Sequence, residues 1–364
     1  MNKKHVYLSM TFIVMLFLTG CAKKINHQSN FDFSAIEPFW KIVSVLERDE
    51  EPTDAEWDSL LLKPGYKMLL SKEMKMDWMK KYLRIAVMPS RQHEVQTWIE
   101  KGYWDAKFPL HFWDVVKQKD SIQLFVKELK KSAIQQQALK IALDYFPADM
   151  HVEELPPVSF IFFDKDARGY DPILMDAFYA LEKYKTQELP YLLAHEMHHY
   201  IRNKRRVFAY PAEENTDFNL IWTFDQIHME GIADQIDKDL MFAVSANKKR
   251  TNRYQELLLK TPMHIRQLDR LLVAYAEDSA NAKEIGVAIR KAVPMSGHPM
   301  GYFMAKTILQ FESKAVLMCK IGNPFAFLQR YQEAALKSGG TKPVFSEKAI
   351  ALIKKLETSY VVSR

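Results

Sequence analysis

Residues 195–199 read His-Glu-Met-His-His, and the apolar run Tyr191-Leu192-Leu193-Ala194 leads into them. This pentapeptide constrains the chain more than any other feature. On an α-helix positions i and i+4 project from one face, about one turn apart. The segment is therefore predicted as a helix from Thr186 to Arg202, with Pro190 in its first turns, where proline is tolerated. On that face the His195 and His199 imidazoles can share one tetrahedral Zn²⁺ at about 2.0–2.1 Å each. Glu196 lies one residue on, beside a metal-activated water rather than on the metal, where a carboxylate takes the water's proton. With 11 histidines in 364 residues, such a spacing arises by chance on the order of 0.02 times per chain. His198 shares part of the face but breaks the register and is read as a bystander.

Three protein ligands leave one zinc position open for water. Arg202 and Arg205 occupy the places where a metzincin would carry Gly and His, which excludes that class. A carboxylate from a following helix is the other route. The segment His228-Met229-Glu230-Gly231-Ile232-Ala233-Asp234 supplies Glu230 and Asp234 at i and i+4 of a helix predicted over Asp217 to Leu240. Here the sequence resembles the gluzincins, the thermolysin-like superfamily. The resemblance implies Glu230 as third ligand and Asp234 as the carboxylate on the outer nitrogen of His195, which fixes a ligand's tautomer. Gly231 beside Glu230 allows a close helix approach. Glu230 follows His199 by 31 residues, a longer gap than that pattern has, and an insertion over Arg202 to Thr216 accounts for it. The rivals Glu213 and Glu214 follow Pro211 and read as a loop or helix start, where clustered acids commonly serve the helix dipole.

A closer resemblance is to bacterial proteins grouped as zinc-dependent peptidases, many of them lipoproteins. It is carried by His195–His199, by Glu230-Gly231-Ile232-Ala233 and by Gly301-Tyr302-Phe303-Met304-Ala305, and covers residues 155–312. Gluzincins stabilise the developing oxyanion with a Tyr or His downstream of the Glu. The candidates here are His298 and Tyr302, and the sequence does not rank them. Val158 to Phe163 is the clearest strand, a candidate zincin edge strand for pairing with an extended substrate. Pro172 to Tyr179 is a candidate second strand.

The N-terminus reads as an address. Lys3 and Lys4 precede the apolar run Val6 to Leu18, too short to span a bilayer comfortably. Leu18-Thr19-Gly20-Cys21 resembles the lipobox of bacterial lipoproteins. That resemblance implies removal of residues 1–20, a lipid on Cys21, and a membrane-anchored body outside the cytoplasm. Residues 21–34 read as a polar tether. Ala22-Lys23-Lys24 has no Asp directly after Cys21, which points to the outer membrane where a cell has two.

Gly is scarce (11 residues) and the charged and hydrophobic shares are ordinary, at 26% and 48%. The expected fold is mostly α with a small β-sheet: a helical N-terminal region over 35–150, then a zincin-like region over 151–364 with a helical C-terminal part. The helical faces include 91–101, 113–131 and 133–145, and Thr53-Asp54-Ala55-Glu56 reads as a capping box. The formal charge is +6, or +4 without Lys3 and Lys4, with the two signs interspersed. No basic block alternates with aromatics, so a nucleic-acid partner is not expected. The expected partner is a peptide or protein substrate. The alternative is a non-enzymatic envelope lipoprotein on a zincin scaffold, whose helical N-terminal region binds a protein partner.

Overall fold

The computed structural model describes residues 29–244 and 248–362. The proposed signal peptide and Cys21 lie outside the described residues. The chain is mostly helical around one small mixed sheet of β1 (Phe31–Asp32), β2 (Val158–Ile161), β3 (Ala167–Arg168) and β4 (Ile173–Asp176), ordered β1-β2-β4-β3. β1, β2 and β4 run parallel, and β3 pairs antiparallel with β4. Among the described residues, no helix is long and apolar enough to cross a membrane.

Three local expectations are corrected. Order begins before Ala35: Phe31 pairs with Val158, and Phe33 stacks on Phe160 with ring centroids 4.8 Å apart. Residues 29–34, expected in the tether, are thus bound to the sheet by ring burial. Second, β2 is not an edge strand, because β1 and β4 flank it on both sides. The edge beside the candidate site is β3. Third, the face expected over 113–131 is two helices, Lys107–Lys117 and Lys119–Leu129, divided at Gln118.

Elsewhere local chemistry sets the boundaries. The capping box at Thr53 and Glu56 is present in both directions. β4 stops because Asp176 turns from strand to cap: its carboxylate accepts from Tyr179 N at 2.8 Å and from Phe163 N at 3.0 Å. The motif helix runs Leu189–Lys204 and the following long helix Phe218–Val244.

Two large apolar cores result. The first gathers the N-terminal helices, the sheet and the buried side of the motif helix, including Leu193, Met197 and Ile201. The second holds Ile227 and Ile232 of the long helix with the C-terminal helices, including Met300, Met304, Phe325 and Tyr331. The motif helix and the long helix lie where the two cores meet.

Candidate metal centre

The motif helix gives one side to the first core and the other to a cavity of about 660 Å³. His195, Glu196 and His199 all line that cavity, as does Glu230 from the long helix. The Nε2 atoms of His195 and His199 are 2.9 Å apart. Glu230 Oε2 lies 3.4 Å from the first and 3.2 Å from the second. All three side chains are buried and converge within reach of one ion. Glu213 and Glu214 are exposed and stand outside this cluster.

Fit for a metal rests on two features of these residues. Glu230 Oε2 is buried and meets no donor at hydrogen-bonding geometry, an expensive state for a carboxylate oxygen unless a cation takes it. His195 Nδ1 sits 3.1 Å from Asp237 Oδ1. That bond keeps a proton on Nδ1 and makes Nε2, which faces Glu230, the nitrogen that would lose its proton to a metal. Two imidazole nitrogens and one carboxylate oxygen are a donor set suited to zinc.

The carboxylate at hydrogen-bond distance from His195 is therefore Asp237. Asp234, three residues earlier, stands 3.8 Å from His195 Nδ1. Its oxygens instead meet His298 Nδ1 at 3.0 Å, Tyr254 Oη at 2.7 Å and Lys238 Nζ at 2.9 Å. Lys238, itself buried, also donates to both oxygens of Asp237. A single ammonium thus joins the carboxylate behind His195 to the one behind His298.

His298 reaches the centre through a helix crossing. A Cβ on Gly301 would fall 2.1 Å from Ile227 O, and one on Gly231 would fall 2.6 Å from Gly301 O. The backbones of the long helix and of the helix His298–Phe311 therefore touch. That contact brings His298 Nδ1 to 3.2 Å from Glu230 Oε2. Just before it, Met295, Ser296 and Gly297 hold φ of 47°, 49° and 95°, a left-handed run costly for the two non-glycine residues. Tyr302, one turn on, leaves the cavity: its hydroxyl donates to Asp239 and its ring packs edge-on to Phe242 and Tyr254. Of the two oxyanion candidates, the structure brings only His298 to the cavity.

The electrostatics follow from burial and neighbours. Burial raises the pKa of Glu196. Burial works against charge on His195 and Glu230 as well, but each is overruled. The Asp237 carboxylate lifts His195 well above the imidazole range, and His298 and His199 hold Glu230 well below the carboxylate range. His198, buried with its ring 4.7 Å from that of Phe146, is pushed well down by burial. It stays neutral on the side away from the cavity.

Sequence reasoning missed several contributors. Gly169, after β3, lies so close to the motif helix that a Cβ there would be 2.4 Å from His199 Cβ. Tyr170 follows it in the cavity wall and donates to Glu73, which also accepts from Arg168 Nε at 2.8 Å. Arg202, fully buried, pairs with Asp225 and reaches His228 Nδ1 at 2.9 Å, pinning the motif helix to the long helix. The sequence reading touched only Arg202, and for another reason, the exclusion of a metzincin.

Residues 57–339 match the model of a family described as "Putative zinc dependent peptidase (DUF5700)". The chain belongs to that family, and the match takes in most of the N-terminal helical region, which the resemblance over 155–312 left out. No curated protein and no solved structure matches the chain.

Proposed function

We propose that the chain is a zinc-dependent peptidase in which His195, His199 and Glu230 hold the metal and Glu196 is the general base. The observation that carries this reading is Glu230 Oε2, buried without a hydrogen-bond donor and facing two imidazole Nε2 atoms at 3.2–3.4 Å. When bound, zinc supplies Lewis acidity, lowering the pKa of a water to about 7 and polarising the scissile carbonyl.

The remaining work falls to side chains of this chain. Glu196 takes a proton from the attacking water and returns it to the leaving amide nitrogen as the C–N bond breaks. Its burial favours the proton-carrying form between those two transfers. Asp237 holds His195 in the tautomer that presents Nε2. His298, tied through Nδ1 to Asp234 and, against burial, held towards its charged form by the Asp234 and Glu230 carboxylates, then carries a proton on Nε2 as well, to donate to the oxyanion that develops on the carbonyl oxygen. The open edge of β3, at Ala167 and Arg168 in the cavity wall, offers backbone groups to an extended peptide. The sequence resemblance at Cys21 supports placing this activity on the envelope membrane.

The test compares zinc content and hydrolysis of a quenched-fluorescent peptide library for the parent, Glu196→Gln and Glu230→Ala. The expected result is one zinc in the parent and in Glu196→Gln, none in Glu230→Ala, and hydrolysis by the parent alone. Loss of a general base costs about 10²–10⁴-fold in rate. Equal hydrolysis by Glu196→Gln overturns the mechanism. Full zinc with no cleavage of any peptide by the parent favours a binding protein on this scaffold.

A further inference from the structure

The N-terminal helices carry an aromatic surface that the peptidase reading does not use. Five rings touch in series: Tyr82 stacks on Phe108 at 5.0 Å and meets Trp98 edge-on at 6.2 Å. Trp98 contacts Tyr103 at 6.5 Å, and Trp104 contacts Phe108 at 5.7 Å. The outer two are exposed, Tyr103 by 53% and Trp104 by 70%. Lysines lie over the ring faces: Lys81 over Trp98 at 5.1 Å, Lys101 over Tyr103 at 6.0 Å and Lys107 over Trp104 at 4.0 Å. Lys107 is paired with Asp164 and Asp105 accepts from Tyr82 Oη at 3.1 Å, so the fringe that can meet anionic lipid is Lys81 and Lys101; exposed rings with amphipathic edges beside such lysines suit the headgroup layer of a membrane.

We propose that this surface rests on an anionic bilayer and holds the mouth of the metal cavity beside the membrane. The inference goes beyond the peptidase reading and rests only on the envelope placement. Lys107 Nζ lies 3.1 Å from Asp164 Oδ2, which ties the patch to the loop entering the cavity wall at Asp166 and Arg168. The tether permits this posture. β1 enters at the start of β2, where Val158 N donates to Asn30 O, and Asp164 lies past the other end. The six residues from Val158 to Asp164 span at most about 22 Å, and the eight from Cys21 to Ser29 reach at most about 29 Å. A chain anchored at Cys21 thus has enough length to bring the patch down onto the bilayer. The two exposed rings, Tyr103 and Trp104, are adjacent in sequence and seated on half-buried Trp98 and Phe108, a larger patch than a lone exposed tryptophan.

The test uses the full-length chain, purified in mild detergent and reconstituted into vesicles of phosphatidylethanolamine with phosphatidylglycerol, or of phosphatidylcholine alone. Lysines are acetylated with a limiting reagent and read by mass spectrometry. Lys101 is expected to react at least about fivefold more slowly on the anionic vesicles, while the exposed Lys348 reacts equally on both. The Tyr103→Ser, Trp104→Ser double variant changes two surface residues and is expected to restore Lys101 labelling without lowering the melting temperature. Equal labelling of Lys101 on both vesicles, or protection that survives the double variant, overturns the proposal. Protection that appears in detergent and grows with protein concentration assigns the patch to a second copy and overturns it too. The acyl mass on the Cys21 peptide from the same digests reads the anchor separately, so loss of the anchor and loss of the patch contact are told apart.

Discussion

Three carboxylates on one face of the long helix, Glu230, Asp234 and Asp237, divide the work around His195 and His298 by small differences in reach. Asp237 takes His195 Nδ1 at 3.1 Å and Asp234 takes His298 Nδ1 at 3.0 Å. Removing a carboxylate behind a metal-bound histidine typically lowers metal affinity about 10–100-fold. Asp237→Asn is therefore expected to weaken zinc binding by that factor, and Asp234→Asn by much less. Competition with a chromophoric chelator measures both, and the reverse order would return the supporting role to Asp234. Local spacing made the pentapeptide and the pairing of Glu230 with a later acid legible in the sequence, since i and i+4 mean one thing on a helix. It did not make Asp237 legible. Positions 234 and 237 both fall on the face of Glu230, and the angle at which two helices cross decides which one meets the ring.

Those crossings are where the elements do their positioning. The close contact between Gly231 and Gly301 joins two segments that in sequence are 70 residues apart. Gly231 was read as a point of close approach, but nothing in the chain said that Gly301 approaches it. A methyl group at Gly301 meets the Ile227 carbonyl, which is backbone and cannot swing aside. Overpacking of this kind costs about 1–3 kcal/mol, occasionally more. Gly301→Ala is expected to lower the melting temperature and to displace His298 from Glu230, so peptide hydrolysis falls more steeply than zinc content. A melting curve with paired zinc and activity assays checks this, and unchanged stability would mean that the helices part without cost. The sheet shows the same limit of sequence reading. Val158–Ile161 was legible as a strand from its β-branched and aromatic residues, yet its place between β1 and β4 depends on partners 127 residues upstream and 15 downstream.

At the scale of the whole chain, the candidate ligands come from both cores. His195 and His199 ride on a helix whose buried side belongs to the first core, and Glu230 sits between Ile227 and Ile232 of the second. An ion held by all three is then a cross-link between the halves. It also removes the cost of a buried carboxylate oxygen without a donor. Binding to the native state alone adds about 4 kcal/mol when free metal stands 1,000-fold above its dissociation constant. In a domain of this size each kcal/mol moves the melting temperature by about 2–4 °C. Chelation is therefore expected to lower the midpoint by on the order of 10 °C, with both halves melting earlier together. Glu230→Ala should melt at one temperature with or without chelator, because it has lost the ion and the buried charge at once. Scanning calorimetry of both proteins, with and without chelator, separates this from a local effect. If chelation shifts only one of two resolved transitions, the ion belongs to one half, and the link between the cores is carried by the Arg202–Asp225 pair instead.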